Sequence, residues 1–453
     1  MSIFKEKTFM KNIIPLAIPI ALQNLVTAVL NIIDQTMVGW LPADIAEYCL
    51  SAVLLANQVV FIIQMLHNSV GNTANMYIAQ YTHNGNEKMI PRRVGLALSL
   101  NIGIGIFATL FCGLMATNVI GLYSPSAEYA QYASDFLQVV ALSFIPMSVT
   151  MTFSFVLRAI KKLNVPLYAS IFGVICNMIF NYVFMFGAFG IEAMGIMGAA
   201  WGTVIARTLE MIVVVIALIK FKYPIFTKPS VMFKSDRAFN KKFFATFFPV
   251  LSNEFFWVLS MTVYLFVYDK LDSSEVMLSA YNIAQSVDKL ISVFMIGVGC
   301  AGGILITNVV AKGNRQDIAK QRRLTLQFGA IMGAFVAVVT FATSFFAPEI
   351  FINVSDEARD VATKLLWCYA GSAMLRTLNF MLIVGVLRSG GDAKFCLISE
   401  TIAIWCVSVP LVIVGGIVFH FNIFILYGLS MVAEVIKFIV CLKRARSERW
   451  IKF

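Results

Sequence analysis

Twelve long apolar runs constrain the fold of this 453-residue chain more than any other feature. About 20 apolar residues in a helix cross the hydrocarbon core of a bilayer, whereas the strands of a membrane barrel are short and alternate in polarity. Only 13% of the residues are charged, and soluble domains carry roughly 25%. The runs therefore predict membrane-spanning helices near 13–38, 48–72, 94–117, 131–157, 165–187, 196–219, 244–268, 276–310, 323–347, 361–387, 395–418 and 420–441.

Lysine and arginine residues support this division because they alternate between the predicted loops. Seven alternate loops and termini hold 28 of the 35 basic residues, whereas the loops between them hold only Lys270, Arg359 and Lys364. Loops rich in Lys and Arg face the cytoplasm, so both termini are predicted to be cytoplasmic in a multi-pass protein of the cell membrane. This asymmetry accounts for the net charge of +11, and no nucleic-acid partner is expected.

The two halves of the chain resemble each other at a nearly constant offset. The segment "FPVLSNE" (248–254) matches "IPIALQN" (18–24) at an offset of 230, and four further segment pairs follow in order at offsets of 228 to 230. Six spans are an even number, so both halves enter the membrane in the same sense, and tandem repeats of this kind are common in transporters. We therefore expect an all-α polytopic membrane protein with two six-helix bundles related by a pseudo-two-fold axis along the membrane normal. The predicted division is an N-terminal lobe at 1–219, a cytoplasmic linker at 220–243, a C-terminal lobe at 244–441 and a basic cytoplasmic tail at 442–453.

The first and seventh spans each carry a proline near the cytoplasmic end, followed by amides and an acid. Pro19 and Pro249 each remove one helical hydrogen bond and are predicted to bend their helices. A charged carboxylate in hydrocarbon costs about 3 kcal/mol on insertion scales, so Asp34 and Glu254 are expected to face an aqueous cavity. Candidate cavity-lining residues in these spans and the eighth are Gln23, Asn24, Asn31, Gln35, Asn253, Trp257 and Asp288. The alternative for the amides of the first span is packing between helices.

Other short patterns have structural interpretations. Arg207 and Glu210 are three residues apart on one helix and are predicted to form an ion pair. The pattern GxGxxG at 297–302 lies in an apolar helix without a preceding strand, so it predicts close helix packing rather than dinucleotide binding. The sequence has neither a P-loop nor a catalytic constellation, and its histidines and cysteines form no metal-ligand set. An enzyme is not expected, nor a cofactor or metal other than a coupling ion.

Three motifs resemble those of the multidrug and toxic-compound extrusion (MATE) family. They are "NIIDQTMVGWL" (31–41), "GIMGAAWGTVIAR" (195–207) and "VLRSGGDAKF" (386–395), the last followed by Trp405 and Pro410. The resemblance covers essentially the whole chain and implies a secondary antiporter. Such a protein exports amphipathic, usually cationic, compounds in exchange for H⁺ or Na⁺ by alternating access. The resemblance also implies that Asp34 is the cation-responsive acid of the N-terminal lobe and Glu254 its C-terminal counterpart.

The sequence departs from the family pattern in the tenth span. Some members carry an aspartate about eleven residues before the arginine of the third motif, where this chain has Arg376 and Thr377. The departure argues against a Na⁺ site built from acids of the seventh and tenth spans. Arg376 is expected either to pair with Glu254 or to face the outer leaflet, and Glu400 is a candidate gate or partner residue.

Two other functions are compatible with the sequence. One is a flippase for lipid-linked precursors from the same superfamily, although such proteins more often have additional spans and a cleft lined by arginines. The other is a receptor or channel without coupled transport. The tandem repeat and the acids inside the spans favour coupled transport of small molecules by a monomer in the bilayer, with H⁺ and Na⁺ both open as the coupling ion.

Overall fold

The computed structural model describes residues 6–83, 87–121, 130–221, 229–234, 236–268, 271, 274–350, 355–447 and 449–452. Helices are the only regular secondary structure in these residues. In chain order they are α1 (Lys7–Val38), α2 (Ala43–His83), α3 (Ile90–Gly121), α4 (Ala130–Ala141), α5 (Phe144–Ala159), α6 (Asn164–Phe186), α7 (Ile196–Lys220), α8 (Pro229–Met232), α9 (Arg237–Tyr268), α10 (Ser274–Lys312), α11 (Arg315–Thr343), α12 (Asp356–Phe380), α13 (Ala393–Thr401), α14 (Val409–Ile413) and α15 (Ile423–Arg446). Wider π-helical turns at Met381–Leu387, Ile402–Ser408 and Val414–Val418 extend α12, join α13 to α14 and extend α14.

The twelve predicted spans correspond one to one with helical segments. Within the described ranges, eleven segments are long and apolar enough to cross a membrane, and the bent pair of α4 and α5 makes a twelfth. The all-α, polytopic fold class is therefore confirmed. The main difference in bounds is at α2, which was predicted to end at residue 72 and continues to His83. The added segment contains no proline, and its small and amide side chains allow the helix to continue beyond the apolar run.

The fourth predicted span is bent rather than straight. α4 and α5 meet at an angle of 54°, with Leu142 and Ser143 forming a turn between them. Pro146 lies in the first turn of α5. Its ring would clash with the carbonyl of Leu142 in a continuous helix, and it has no N–H to donate to that carbonyl. Pro146 therefore removes a hydrogen bond at the point where the apolar run at 131–157 divides into two helices.

The described contacts divide the chain into two compact units. The N-unit is Leu25–Phe244, and the C-unit is Met1–Asn24 together with Ala245–Phe453. Each unit has its own buried apolar core. The boundaries fall inside α1 and α9, so each of these helices begins in one unit and ends in the other. The division at 219 and 244 that the sequence suggests stays a prediction.

The glycine-rich segment of α10 packs closely against its neighbours in the C-unit. A Cβ atom placed on Gly297 would lie 2.7 Å from the Cβ of Ala21, and one on Gly299 would lie 2.3 Å from the Phe380 ring. Any larger residue at these positions would push the helices apart. The interpretation of the GxGxxG pattern as a helix-packing feature is confirmed.

The end of the chain, predicted as a basic tail, docks onto the turn between the tenth and eleventh spans. Trp450 is fully buried, and a Cβ atom on Gly390 would lie 2.0 Å from its ring. Asp392, also fully buried, forms ion pairs with Arg444 at 2.7 Å and Lys452 at 2.5 Å. The backbone N–H of Lys452 donates to Gly390 O at 3.0 Å. The predicted tail is therefore a packed part of the C-unit.

We expect Trp450→Ala to destabilise the C-unit because it empties the space over Gly390. Truncation of a buried aromatic residue costs about 3–5 kcal/mol in a packed core. Trp40→Ala is the matched control, since Trp40 is 65% exposed. The midpoint of thermal unfolding in detergent should be clearly lower for Trp450→Ala and nearly unchanged for Trp40→Ala. Equal effects would contradict a docked Trp450.

The described part of the predicted linker packs onto α3. A Cβ atom on Gly95 would lie 2.0 Å from Met232 O of α8. Asp236 accepts a hydrogen bond from the backbone N–H of Phe239 at 3.1 Å, in the first turn of α9, and pairs with Arg93 at 2.9 Å. The Arg93 guanidinium also lies 3.6 Å from the centroid of the Phe239 ring. Residues 222–228 and 235 of the linker lie outside the described ranges.

Asp236 makes the stability of this contact depend on pH. The hydrogen bond from the Phe239 N–H and the bond from Arg93 both favour the ionised carboxyl and hold the pKa of Asp236 below its usual value. A group with a lowered pKa stabilises the fold above its unfolded pKa, near 4, and loses that contribution as pH falls through its folded value. Asp236→Asn should lower the midpoint of thermal unfolding at pH 7, and the difference from wild type should shrink in acid. A difference that is constant with pH would contradict this assignment.

Candidate functional site

A chain of neutral amides holds Asp34 inside the N-unit. Asp34, near the end of α1, accepts a hydrogen bond from Asn181 Nδ2 of α6 at 2.8 Å. Asn181 Nδ2 also lies 3.1 Å from Asn177 Oδ1, one helical turn earlier. Asn177 in turn donates to Thr203 Oγ1 of α7 at 3.3 Å. Three helices therefore contribute to the hydrogen-bonded environment of one carboxylate.

Two glycines of α7 bring this helix close enough to α6 to complete the chain of amides. A Cβ atom on Gly202 would lie 2.1 Å from Asn181 Oδ1, and one on Gly198 would lie 2.4 Å from the carbonyl carbon of Phe184. Small residues at helix interfaces permit this approach in membranes. The motif "GIMGAAWGTVIAR" thus has a defined role, because its glycines leave room for the amide that binds Asp34.

An ion pair lies on α7 beyond the amides. Arg207 Nη1 donates to Glu210 Oε2 at 3.0 Å, and Ser170 of α6 donates to Glu210 Oε1 at 2.9 Å. Glu210 is only 4% exposed. The ion pair predicted between Arg207 and Glu210 is confirmed.

These groups border a cavity within the N-unit. The space between these groups, including its open part, amounts to about 890 Å³. Its polar lining consists of Thr27, Asp34, Asn57, Gln64, Ser143, Ser170, Asn177, Thr203, Arg207 and Glu210, and apolar residues such as Val53, Val60 and Phe136 complete the wall.

In the C-unit, the second predicted coupling acid is paired with a guanidinium. Glu254 of α9 accepts a hydrogen bond from Arg388 Nη1 at 2.9 Å, and Arg388 Nη2 lies 3.5 Å from Glu400 Oε2 of α13. Asn253 Nδ2 donates to the same oxygen of Glu400 at 2.6 Å. The structure thus brings together three residues that the sequence selected separately, and Arg388 joins their two acids.

Arg376 does not pair with Glu254, its predicted partner. It forms a bidentate ion pair with Asp288 of α10, with Nη1 at 2.9 Å from Oδ2 and Nη2 at 2.8 Å from Oδ1. Its guanidinium also lies 5.4 Å from the centroid of the Tyr369 ring. The expected pair with Glu254 was wrong, because Asp288 lies on the neighbouring α10 and binds two nitrogens of the guanidinium within the C-unit. The alternative, a position facing the outer leaflet, stays a prediction.

The last helix of each half carries an ion pair, and the two pairs have opposite polarity. α7 and α15 both begin with isoleucine, at Ile196 and Ile423. When positions are counted from these first residues, Arg207 of α7 corresponds to Glu434 of α15, and Glu210 corresponds to Lys437. Lys437 forms an ion pair with Glu434, and Asn379 Nδ2 donates to Glu434 Oε2 at 2.6 Å. The charge at each of the two positions is thus reversed between the halves.

Bulky side chains occupy the positions of the C-unit that correspond to the cavity wall. At the offsets found in the sequence, Asp34 corresponds to Tyr264, Val53 to Tyr281 and Val60 to Asp288. The Tyr264 hydroxyl lies 2.7 Å from Ser408 Oγ, and Tyr281 accepts a hydrogen bond from Gln285 at 2.8 Å. Tyrosines and a paired acid therefore replace the small apolar residues and the amide-bound acid of the N-unit.

The remaining predicted residues are dispersed. Asn24 donates to Ile20 O of its own helix at 2.8 Å, Gln23 and Gln35 are half-buried, and Trp257 is 42% exposed. The Asn31 side chain lies outside the described part of the chain. Asp34 borders the N-unit cavity, whereas none of the described residues in the candidate cavity lining does, and their role in substrate binding stays a prediction. Pro19 and Pro249 lie inside α1 and α9, and the bends predicted there also stay predictions.

Sequence reasoning missed the partners of these acids. Asn177 and Asn181 are four residues apart on one face of an otherwise apolar span, and this spacing was a usable indication of a polar site. Arg388 was part of the third motif, but no partner was predicted for it. Pairing across helices depends on the rotation of each helix, which one sequence does not specify.

Solved structures with this fold are membrane transporters. The chain superimposes with a TM-score of 0.86 on a structure described as the outward-facing conformation of a multidrug resistance MATE family transporter of the MOP superfamily, at 15% identity over 96% of this chain and 95% of the other. A MOP superfamily transporter from Pyrococcus furiosus gives a TM-score of 0.85 at 16% identity, over 98% and 97% of the two chains. The chain therefore has the fold of these two multi-pass proteins.

The family model described as MatE matches the chain twice, at residues 19–183 and 249–414. The chain belongs to the MatE family, the multidrug and toxic-compound extrusion transporters. The two matches start 230 residues apart, and this confirms the internal repeat. The members of this family are transporters and not enzymes.

Curated relatives span nearly the whole chain at low identity. The uncharacterized transporter YisQ of Bacillus subtilis is 23% identical over 413 residues, which are 90% of this chain and 88% of the relative. The probable multidrug resistance protein NorM of Thermotoga maritima is 23% identical over 432 residues, 94% and 89% of the two chains.

Gly202→Ala should disturb the hydrogen bond between Asn181 and Asp34, because the methyl group of the new alanine would overlap Asn181 Oδ1. Overpacking of this kind costs about 1–3 kcal/mol, and relief requires Asn181 to move away from Asp34. Gly103→Ala is the matched control, since a Cβ atom there meets nothing within 4 Å. We expect lower thermal stability and impaired efflux for Gly202→Ala alone. Wild-type behaviour of this variant would show that α6 and α7 are not in close contact.

Proposed function

We propose that this protein is a proton-coupled antiporter that exports amphipathic monovalent organic cations, using the N-unit cavity as the exchange site. The observation that carries the proposal is the placement of Asp34, which borders the cavity and accepts its hydrogen bond from a neutral amide. Glu254, Asp288 and Glu434, by contrast, are each paired with an arginine or lysine. Asp34 is thus the acid whose charge a mobile cation can neutralise.

The charge of the cavity lining favours a cationic substrate. Asp34 and Glu210 contribute two negative charges and Arg207 one positive charge, so the net charge is −1 when Asp34 is ionised. Protonation of Asp34 brings the net charge to zero and removes the electrostatic attraction for a bound cation. A proton and a monovalent cation therefore compete for one charge, and the expected exchange is one for one and electroneutral.

The chemistry around Asp34 supports H⁺ rather than Na⁺. An asparagine side chain carries both a donor and an acceptor, so Asn181 can donate to ionised Asp34 or accept from its protonated form. A proton needs no further ligand from the protein, whereas a hard cation prefers several oxygen ligands, including carboxylates.

The C-unit has a different role in this proposal. Arg388 and Arg376 hold its acids in fixed pairs, so Glu254 is assigned a structural role, and its predicted part in coupling is tested in the same assay. Alternating access would expose the cavity to each side in turn, with both termini in the cytoplasm as the basic loops predict. The two arginines that a flippase cleft could use, Arg207 and Arg376, are each paired with an acid.

Asp34→Asn should abolish proton-driven efflux and leave the protein folded. We expect that ethidium, a fluorescent monovalent organic cation, is exchanged for protons by wild-type protein in proteoliposomes under an imposed pH gradient. The variant should lose this exchange, and ethidium binding should weaken by about tenfold or more, since bonds to charged groups contribute roughly 1.5–3 kcal/mol. Ethidium affinity should also become independent of pH.

The controls separate this assignment from its alternatives. Glu192→Gln removes one exposed carboxylate of the N-unit and should leave exchange intact. If Glu254→Gln uncouples transport and Asp34→Asn does not, the coupling site lies in the C-unit and the proposal is wrong. Exchange driven by a Na⁺ gradient at constant pH would contradict H⁺ coupling, and conductance at channel rates would contradict antiport.

A further inference from the structure

A second pocket lies where the linker packs onto the start of α3. It encloses about 460 Å³ of empty space, including its open part. Its polar lining consists of Arg92, Arg93, Ser99, Lys234, Asp236 and Asn240. The proposed antiport does not use this pocket, which lies at the end of the N-unit that carries basic loops.

The pocket has an excess of positive charge. The Arg93 side chain is 5% exposed and neutralises Asp236 directly across 2.9 Å. Arg92 and Lys234 line the same pocket, half-buried and exposed respectively, and no acid other than Asp236 is among its lining residues. The pocket therefore presents a net charge of +2, carried by two side chains that a ligand can reach.

Apolar side chains surround this charge. Phe233 forms part of the pocket wall and is 53% exposed, while Val231 on α8 is 38% exposed. Leu96 of α3 adds a further apolar contact surface. A cationic pocket bordered by exposed apolar side chains matches the boundary between lipid headgroups and acyl chains, where both kinds of surface find partners.

We propose that this pocket binds the phosphate of an anionic lipid headgroup through Arg92 and Lys234, while Phe233 and Val231 contact the apolar part of the same lipid. Basic pockets on the cytoplasmic side of membrane proteins bind such headgroups, and each basic side chain near an anionic surface contributes on the order of 1 kcal/mol. The exposed apolar contacts distinguish a lipid from free phosphate. A bound lipid would bridge α3 and the linker segment next to the Arg93–Asp236 pair, and would hold the start of α9 on the N-unit.

The test uses the full-length protein, purified in detergent and stripped of lipid. Binding of phosphatidylglycerol, phosphatidylcholine and inorganic phosphate is measured by native mass spectrometry. We expect phosphatidylglycerol to bind more tightly than phosphatidylcholine. Arg92→Gln/Lys234→Gln should weaken the tightest phosphatidylglycerol site by about 25-fold, because each of the two charges contributes roughly fivefold. Lys220→Gln/Lys241→Gln removes the same charge from exposed positions outside the pocket and should leave that site unchanged.

Each other result would overturn the proposal. Equal affinity for the two lipids would show that the pocket does not select anionic headgroups. Equal weakening by the two double variants would show general attraction to the basic loops. Displacement of phosphatidylglycerol by inorganic phosphate at millimolar concentration would identify a site for free phosphate instead. A wild-type unfolding midpoint for Arg92→Gln/Lys234→Gln in phosphatidylcholine establishes that its weaker binding does not come from misfolding.

Discussion

A charged side chain inside a membrane-spanning bundle needs a partner that lipid cannot supply, and this requirement organises the interior of both units. The C-unit meets it with fixed pairs, such as the two-pronged contact between Arg376 and Asp288. Removal of one member of a buried pair typically costs about 3–5 kcal/mol, so these contacts are expected to stay closed. The N-unit meets the requirement for Asp34 with an amide. An amide can serve both protonation states of a carboxyl group, and the proposed exchange of a proton at Asp34 rests on this property.

The internal repeat shows how this difference is built from one architecture. In each half, the first span is joined to the fifth by a polar contact, between Asp34 and Asn181 in the N-unit and between Tyr264 and Ser408 in the C-unit. A tyrosine hydroxyl keeps the contact without a charge that changes at physiological pH. Tyr281 occupies the position that corresponds to Val53 of the cavity wall, so a large aromatic side chain replaces a small apolar one at that position. The repeat thus preserves the scaffold while its side chains have diverged.

The sequence predicted the spans well because hydrophobic length and the alternation of basic loops are properties of the chain itself. It predicted the Arg207–Glu210 pair for the same reason, since both residues lie on one helix. It failed for Arg376, because the choice between Glu254 and Asp288 depends on how three helices are rotated and spaced. It also treated 131–157 as one span, although Pro146 was visible, because the bend depends on whether the surrounding helices accommodate a break. The sequence also did not predict the docking of Trp450, because its partner Gly390 is distant in sequence.

The helix that carries Asp34, α1, is divided between the two units. The helix contributes its residues up to Asn24 to the C-unit and the rest, including Asp34, to the N-unit. Pro15 and Pro19 lie in the first of these parts, where each removes a backbone hydrogen bond and lowers the energy needed to bend the helix. In the proposed antiport, a change of charge at Asp34 alters its hydrogen bond to Asn181, which joins α1 to α6 within the N-unit. α9 has the same divided form, with Pro249 just past the boundary at Phe244. Tyr264 takes the place of the acid on α9, so α1 carries a carboxylate at a position where α9 carries a hydroxyl group.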